Sequence, residues 1–198
     1  MMPIGREFCV LAQEVLHPKT VLEVGSKPAV GQEELTNLRT VFTDAKRYVG
    51  IDLEAGPGVD QIVDICEPVW PNIWHLEEFE LCLCIDMLEH CRYPEQAVFH
   101  MREVAQHLVL RTAFCAPIHN HPNDYWRFTP ALLQDLCSAY EFGFVAQDAP
   151  VVSVPASEVY DWPHGVYAFG TEDETLRNQI IALLNLRPVK DIMVVSSW

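Results

Sequence analysis

Four apolar runs in this 198-residue chain end in or just before acidic residues. They close on Glu23-Val24-Gly25-Ser26, on Ile51-Asp52-Leu53, on Asp64-Ile65-Cys66 and on Asp86-Met87-Leu88-Glu89-His90. In open α/β sheets ligands bind beyond the carboxyl ends of the strands, so residues just after apolar runs are the ones placed for chemistry. One acid after a second strand, here Asp52, can accept from both hydroxyls of a ribose. A small residue after the first strand, here Gly25, lets a ligand approach the backbone. The glycine pattern that cradles a pyrophosphate is missing, because residues 25–31 read GSKPAVG, with two glycines and a proline. Such a rim suits a ligand with a ribose, an adenine and a cationic centre but no phosphate.

A second group, His90, His119, His121 and Asp124, offers proton acceptors. Histidine is preferred for that work because an imidazole ordinarily titrates near neutrality. The charge balance of 13 Lys and Arg against 28 Asp and Glu gives −15. That charge repels polyphosphate and argues against a nucleic-acid partner. Arg39, Lys46 and Arg47 are the nearest thing to a basic cluster. Seven cysteines, an odd number and several within apolar runs, suit a reducing cytoplasm. Cys82, Cys84 and Cys91 with His90 resemble a ligand set only loosely. Cys82 and Cys84 are two apart on one strand and no paired CxxC exists, so no metal is expected. No run reaches the roughly 18 apolar residues that span a bilayer, and no signal-peptide layout opens the chain, so neither membrane insertion nor export is expected.

The elements that must position these groups follow from periodicity. Residues 4–16 carry Phe8, Leu11, Ala12, Val15 and Leu16 on one helical face, and His17-Pro18 closes that helix. Strands are predicted at 20–24, 48–53, 61–63, 80–85, 107–113, 144–149 and 165–169. Helices are predicted at 33–42, from Pro94 through Leu108, and at 130–139 with Thr129 as N-cap. A helix at 172–186 and a short strand at 191–195 follow. Short apolar runs alternating with helical stretches mean βα units and a largely parallel sheet. The expected fold is therefore α/β, a Rossmann-like three-layer α/β/α sandwich, with residues 1–198 as one domain. Its core would cover about 18–170, with a C-terminal helical extension over 171–198 serving either packing or homodimer contact.

Residues 21–25 (VLEVG), 48–52 (YVGID), 56–60 (GPGVD), 84–90 (CIDMLEH) and 119–130 (HNHPNDYWRFTP) resemble the class I S-adenosylmethionine (SAM)-dependent methyltransferases of the methyltransferase domain 11 kind. The similarity spans about residues 18–170. It implies a seven-stranded, mostly parallel sheet in the order 3-2-1-4-5-7-6, with strand 7 antiparallel. It also implies SAM as cofactor. Glu23, Gly25 and Ser26 would line the first loop beside the methionine moiety, and Asp52 and Leu53 would hold ribose and adenine. Asp64 and Ile65 would flank the adenine edge, and Asp86 and Met87 would close the site near the sulfonium. Glu89 and His90 would then face a small-molecule or carbohydrate-type acceptor. Where such proteins commonly carry a Gly-x-Gly-x-Gly loop this chain has Lys27-Pro28-Ala29, and the usual Pro-Gly-Gly turn before the fifth strand is shortened or absent.

Plainer roles remain open for the same residues. Glu23 could bond loop amides, Asp52 could cap a turn before Gly56, and Tyr125, Trp126 and Phe128 could be core anchors with Arg127 pairing a carboxylate between them. A catalytically inactive SAM-fold subunit is the functional alternative to an enzyme. Residues 150–165, rich in proline and aromatic side chains, are the expected acceptor rim.

Overall fold

The computed structural model of the protein describes residues 3–28, 37–67, 77–119, 123–148, 165–186 and 192–198. Helix α1 (Pro3–Leu16) leads into β1 (Thr20–Val24), β2 (Arg47–Asp52), β3 (Gln61–Ile62) and β4 (Phe79–Ile85). Helix α2 (Pro94–Val104), β5 (Ala105–Ala113), α3 (Pro130–Cys137), β6 (Phe142–Asp148), β7 (Gly165–Thr171), α4 (Glu174–Leu186) and β8 (Ile192–Ser197) complete the order. Residues 33–36 of the helix expected at 33–42 lie outside the described residues, and in its described part, 37–42, the structure has only a 3-10 turn at Leu38–Thr40. His121 and nearly all of the expected acceptor rim also lie outside them.

The strands form one sheet in the order β3-β2-β1-β4-β5-β7-β6-β8. The first five run parallel, and β7 is antiparallel to both β5 and β6. The expected order is therefore present, with one strand more than the seven expected. The C-terminal extension holds the expected helix and the expected short strand, and that strand joins the sheet as β8, antiparallel to β6 with Asp148 opposite Ile192 and Phe144 opposite Ser197. The reason is backbone satisfaction: β6 would otherwise leave a row of donors and acceptors open along its outer edge.

A second difference is at the end of α2. Its apolar spacing runs on to Leu108, yet the helix stops at Val104 and Ala105 already has extended φ and ψ. Leu108 instead sits in β5, opposite Cys82 of β4. Helix passes into strand without an intervening turn. Pro94 at the start of α2 and the Thr129 Oγ1 cap of α3, which accepts from Leu132 N at 3.2 Å, stand as expected.

Alternate residues of the central strands serve two cores, as buried parallel strands must. Leu22, Val24, Cys82, Cys84, Leu108 and Leu110 face α2 and α3. Val21, Leu81, Leu83, Val109, Phe144 and Phe169 face α1 and α4. On that second face the Phe8 ring meets Tyr167 edge-on at 5.3 Å and Phe144 at 6.1 Å. Burying each such ring contributes on the order of 1.5–3 kcal/mol. All seven cysteines are free thiols, five of them buried, with Cys66 partly exposed and Cys115 exposed. Among the described residues no helix is long and apolar enough to cross a membrane. This architecture brings the carboxyl ends of β1, β2, β4 and β5 to one rim.

Candidate functional site

At that rim β1 ends in Gly25, whose φ of +79° lies in the left-handed region. Gly25 N and Ser26 N both donate to Ile51 O, at 2.9 and 3.0 Å. A Cβ on Gly25 would fall 2.5 Å from Met87 Cγ, so only glycine lets the loop after β1 meet the turn after β4. Ser26 Oγ is buried with no hydrogen-bond partner among the described residues.

Asp52, half-buried at the end of β2, accepts from Lys27 N at 3.0 Å and from Glu54 N at 3.3 Å. It therefore caps its own turn and anchors the loop after β1. A carboxylate has about four lone-pair sites, so capacity for a diol remains. Leu53, next along, is half exposed and offers an apolar surface. The backbone of Val63 donates to Asp52 O at 2.9 Å, which brings the following segment to the same rim. There Asp64 Oδ1 accepts from Cys66 N at 2.8 Å, while Ile65 is buried and its carbonyl bonds His100 Nδ1 at 2.8 Å.

Glu23 does not join them. Strand alternation turns its side chain toward the α1 layer, where it is 7% exposed and accepts from Tyr48 Oη at 2.7 Å. Burial pushes its carboxyl up to about 8, with the Tyr48 hydrogen bond opposing that rise. The expected place beside the first loop is thus corrected to a buried polar pair beneath it.

Asp86 is at the rim, with φ +54° and its amide donating to Arg111 O at 2.9 Å. Its carboxylate pairs with the guanidinium of buried Arg111. Arg111 Nε donates to Tyr167 Oη at 3.2 Å, Tyr167 Oη donates to Asp148 at 2.6 Å, and Asp148 accepts from Gly165 N at 2.6 Å. A Cβ at Gly165 would meet that guanidinium at 2.7–2.9 Å. The sequence reading missed Arg111, although a lone arginine inside the apolar run 108–111 was a usable signal.

The opposite end of the rim is built by a 3-10 turn, Leu88–His90, and by the segment before α3. Glu89 is 2% exposed and accepts from Thr112 Oγ1 at 2.7 Å, and its carbonyl receives Tyr125 N at 2.9 Å. His90 Nδ1 lies 2.5 Å from Asn123 O, and His119 Nδ1 lies 3.1 Å from Pro117 O. The two imidazoles meet edge-on at 5.0 Å between centroids. Asp124 accepts from His119 N at 2.7 Å and from Arg127 Nη2 at 2.7 Å. Arg127, paired with a carboxylate as expected, also donates to the carbonyls of Ala116 and Pro117 at 3.0 and 2.9 Å. The Arg127 guanidinium first, then the His119 amide, hold the Asp124 carboxyl well below its ordinary value. Asp124 is therefore an ionised strut for the loop and not a proton acceptor. Of the three aromatic anchors, Phe128 alone is buried; Tyr125 and Trp126 remain 49% and 40% exposed.

Between the two ends Cys91 Sγ lies 3.3 Å from Met87 Sδ. The Cys91 thiol donates to Cys66, which with the amides of Tyr93 and Arg92 holds the Cys66 thiol below its ordinary value. Arg39 pairs with Asp60 and Arg47 with Glu78, so two of the three members of the basic cluster are neutralised. Cys82 and Cys84 are core residues. A hollow lined by Glu77, Arg102, His107 and Asp173 lies at the amino ends of β4 and β5, away from this rim.

No family model and no curated protein matches the sequence. Solved structures do match the fold. The YcgJ protein from Bacillus subtilis aligns with 85% of this chain and 98% of its own at 12% identity and TM-score 0.58. The Haloferax volcanii protein crystallised with the Trm112 methyltransferase activator aligns over 86% and 89% at 11% identity and TM-score 0.55. The N-terminal domain of EvdMO1 with SAH bound aligns over 84% and 80% at 14% identity and TM-score 0.53. The same domain in the presence of SAH and D-fucose gives 84%, 82%, 14% and 0.51. This chain has the class I methyltransferase fold. On a methyltransferase fold the rim from Gly25 to Asp124 lies where ligands of open α/β sheets bind.

Proposed function

We propose that the protein is a SAM-dependent methyltransferase acting on a small-molecule or carbohydrate-type acceptor. The observation that carries this reading is the pairing, on one rim, of a diol-competent carboxylate, Asp52, with a glycine loop held directly against Met87. The buried Ser26 Oγ beside them has no hydrogen-bond partner among the described residues, which suits a polar ligand such as SAM. In this reading Asp52 and Leu53 hold ribose and adenine, and Asp64 and Ile65 border the adenine. Gly25, Ser26 and Met87 shape the methionine end, where Asp86 is held by Arg111. Bound SAM supplies a methyl group on a sulfonium, open to in-line displacement by an acceptor lone pair. The chain's own task is alignment, worth up to roughly 7–11 kcal/mol of barrier in favourable cases. His90 and His119 line the acceptor side of the rim.

The EvdMO1 domain, with its SAH and D-fucose, supports the cofactor class and the carbohydrate-type acceptor by analogy of fold alone. Isothermal titration with SAM, S-adenosylhomocysteine and NAD tests the proposal. One equivalent of either sulfur ligand is expected to bind, and NAD is not. Asp52→Ala is expected to weaken SAM at least about tenfold, the loss of one charge-assisted hydrogen bond. Failure of the wild-type protein to bind both sulfur ligands refutes the function, and unchanged affinity in Asp52→Ala refutes the ribose site.

A further inference from the structure

We propose that Glu89, His90 and His119 form a binding site for one divalent transition-metal ion at the carboxyl end of β4. Each residue offers one ligand atom, and these atoms all lie within 4.8 Å of one another. Ligands about 2.0–2.2 Å from a tetrahedral zinc stand about 3.3–3.6 Å apart. His119 is exposed, and a metal would draw its side chain in to that spacing.

The orientation of the two rings carries the argument further. Asn123 O and Pro117 O can only accept, so the Nδ1 atoms bonded to them carry the hydrogens. That leaves the Nε2 atom of both His90 and His119 with its lone pair unprotonated. Metal-binding histidines are ordinarily fixed by a carbonyl or carboxylate on the other ring nitrogen in this way. The carboxylate is likewise set, since Glu89 is 2% exposed and Thr112 Oγ1 holds one of its oxygens at 2.7 Å. A buried carboxylate oxygen beside two imidazole rings is a donor set that a cation can use. The Asp124 strut, accepting from His119 N, holds the third ligand's backbone in place.

Two imidazoles and one carboxylate suit zinc, manganese or iron(II) better than magnesium or calcium, which favour oxygen ligands throughout. Three protein ligands leave coordination positions open. Resting on the methyltransferase reading, an acceptor hydroxyl would occupy one of them. There it would lose its proton to water more readily and attack the methyl carbon as the alkoxide, the carbon–sulfur electron pair returning to sulfur. The expectation of no metal rests on the cysteine pattern, whereas the set proposed here contains no cysteine, and its third member lies 29 positions beyond His90, on another loop.

Protein stripped with a chelator and titrated with ZnCl2 is expected to bind one equivalent. His119→Ala and His90→Ala should each bind about 100-fold more weakly or worse, beyond the roughly 10- to 100-fold that loss of an outer-shell partner costs. Circular dichroism of both variants should match the wild type. His17→Ala, at an exposed histidine paired with Asp44, should bind as the wild type does. With CoCl2 the visible spectrum should show d–d bands and no thiolate charge transfer. No saturable zinc binding, unchanged affinity in His119→Ala, or a thiolate band would each overturn the site. Protein that binds zinc but neither SAM nor S-adenosylhomocysteine keeps the metal site and refutes the methyltransferase reading; the converse result separates the two the other way.

Discussion

Arg111→Ala is expected to destabilise the protein by about 3 to 5 kcal/mol, the cost of removing one partner from a buried ion pair. Arg111 is 4% exposed and is bonded on two sides, to Asp86 and to Tyr167, which in turn holds Asp148. Its removal leaves the Asp86 carboxylate, whose side chain is only 20% exposed, without its guanidinium. It also opens a void against Gly165. Because Asp86 precedes Met87, and Met87 is packed on Gly25, the loss should spread to the ligand rim, and SAM affinity should fall with stability. Urea unfolding at neutral pH measures the effect. A loss under about 1 kcal/mol would place the pair with ordinary surface ion pairs and refute this account.

The second large effect depends on pH. Glu23 releases its proton near 4.5 in an unfolded chain but near 8 when folded, chiefly because it is buried. Between those values the folded state holds a proton that the unfolded state has given up. Stability from this group is therefore complete below about pH 4.5 and is lost as pH rises towards 8. At roughly 1.4 kcal/mol per pKa unit, the loss amounts to on the order of 3–5 kcal/mol. Glu23→Gln cannot ionise, yet its amide oxygen can still accept from Tyr48. The variant should match the wild type within about 1 kcal/mol at pH 5 and exceed it by several kcal/mol at pH 8.5. Thermal or urea unfolding across that range decides it; a constant difference would show that Glu23 is already ionised in the folded protein.

Much of this was legible in the chain because burial leaves a pattern. The run from Thr20 to Val24 and the run ending at Ile85 carry apolar residues on both faces, and strands covered on both sides read that way. The acids after them marked the rim correctly at Asp52, Asp64 and Asp86. Glu23 was misplaced because strand alternation decides which face a residue takes, and the motif's identity carries no such information. Leu108 was drawn into a helix because apolar spacing of 3 and 4 residues continued after backbone geometry had changed. Size alone suggests a core place for Tyr125, Trp126 and Phe128 alike, whereas only Phe128 is buried. The pairing of Asp124 with Arg127, three apart, was foreseeable. The meeting of Glu89, His90 and His119 was not, because it depends on how one loop folds back over another. Nor could the pairing of β8 with β6 be read locally, since edge satisfaction is a property of the whole sheet.

The buried cysteines have a consequence for chemical labelling. Burial raises the thiols of Cys9, Cys82 and Cys84 far above their ordinary range and pushes Cys137 up to about 12. Thiolate is the reacting species, so an alkylating reagent finds these four only when their segment opens. Cys115 is exposed and Cys66 is activated by its neighbours, so both label first. Cys9 then times the release of α1, Cys137 that of α3, and Cys82 with Cys84 the parting of the central strands. The native chain thus carries its own set of reporters for the order in which its layers come apart.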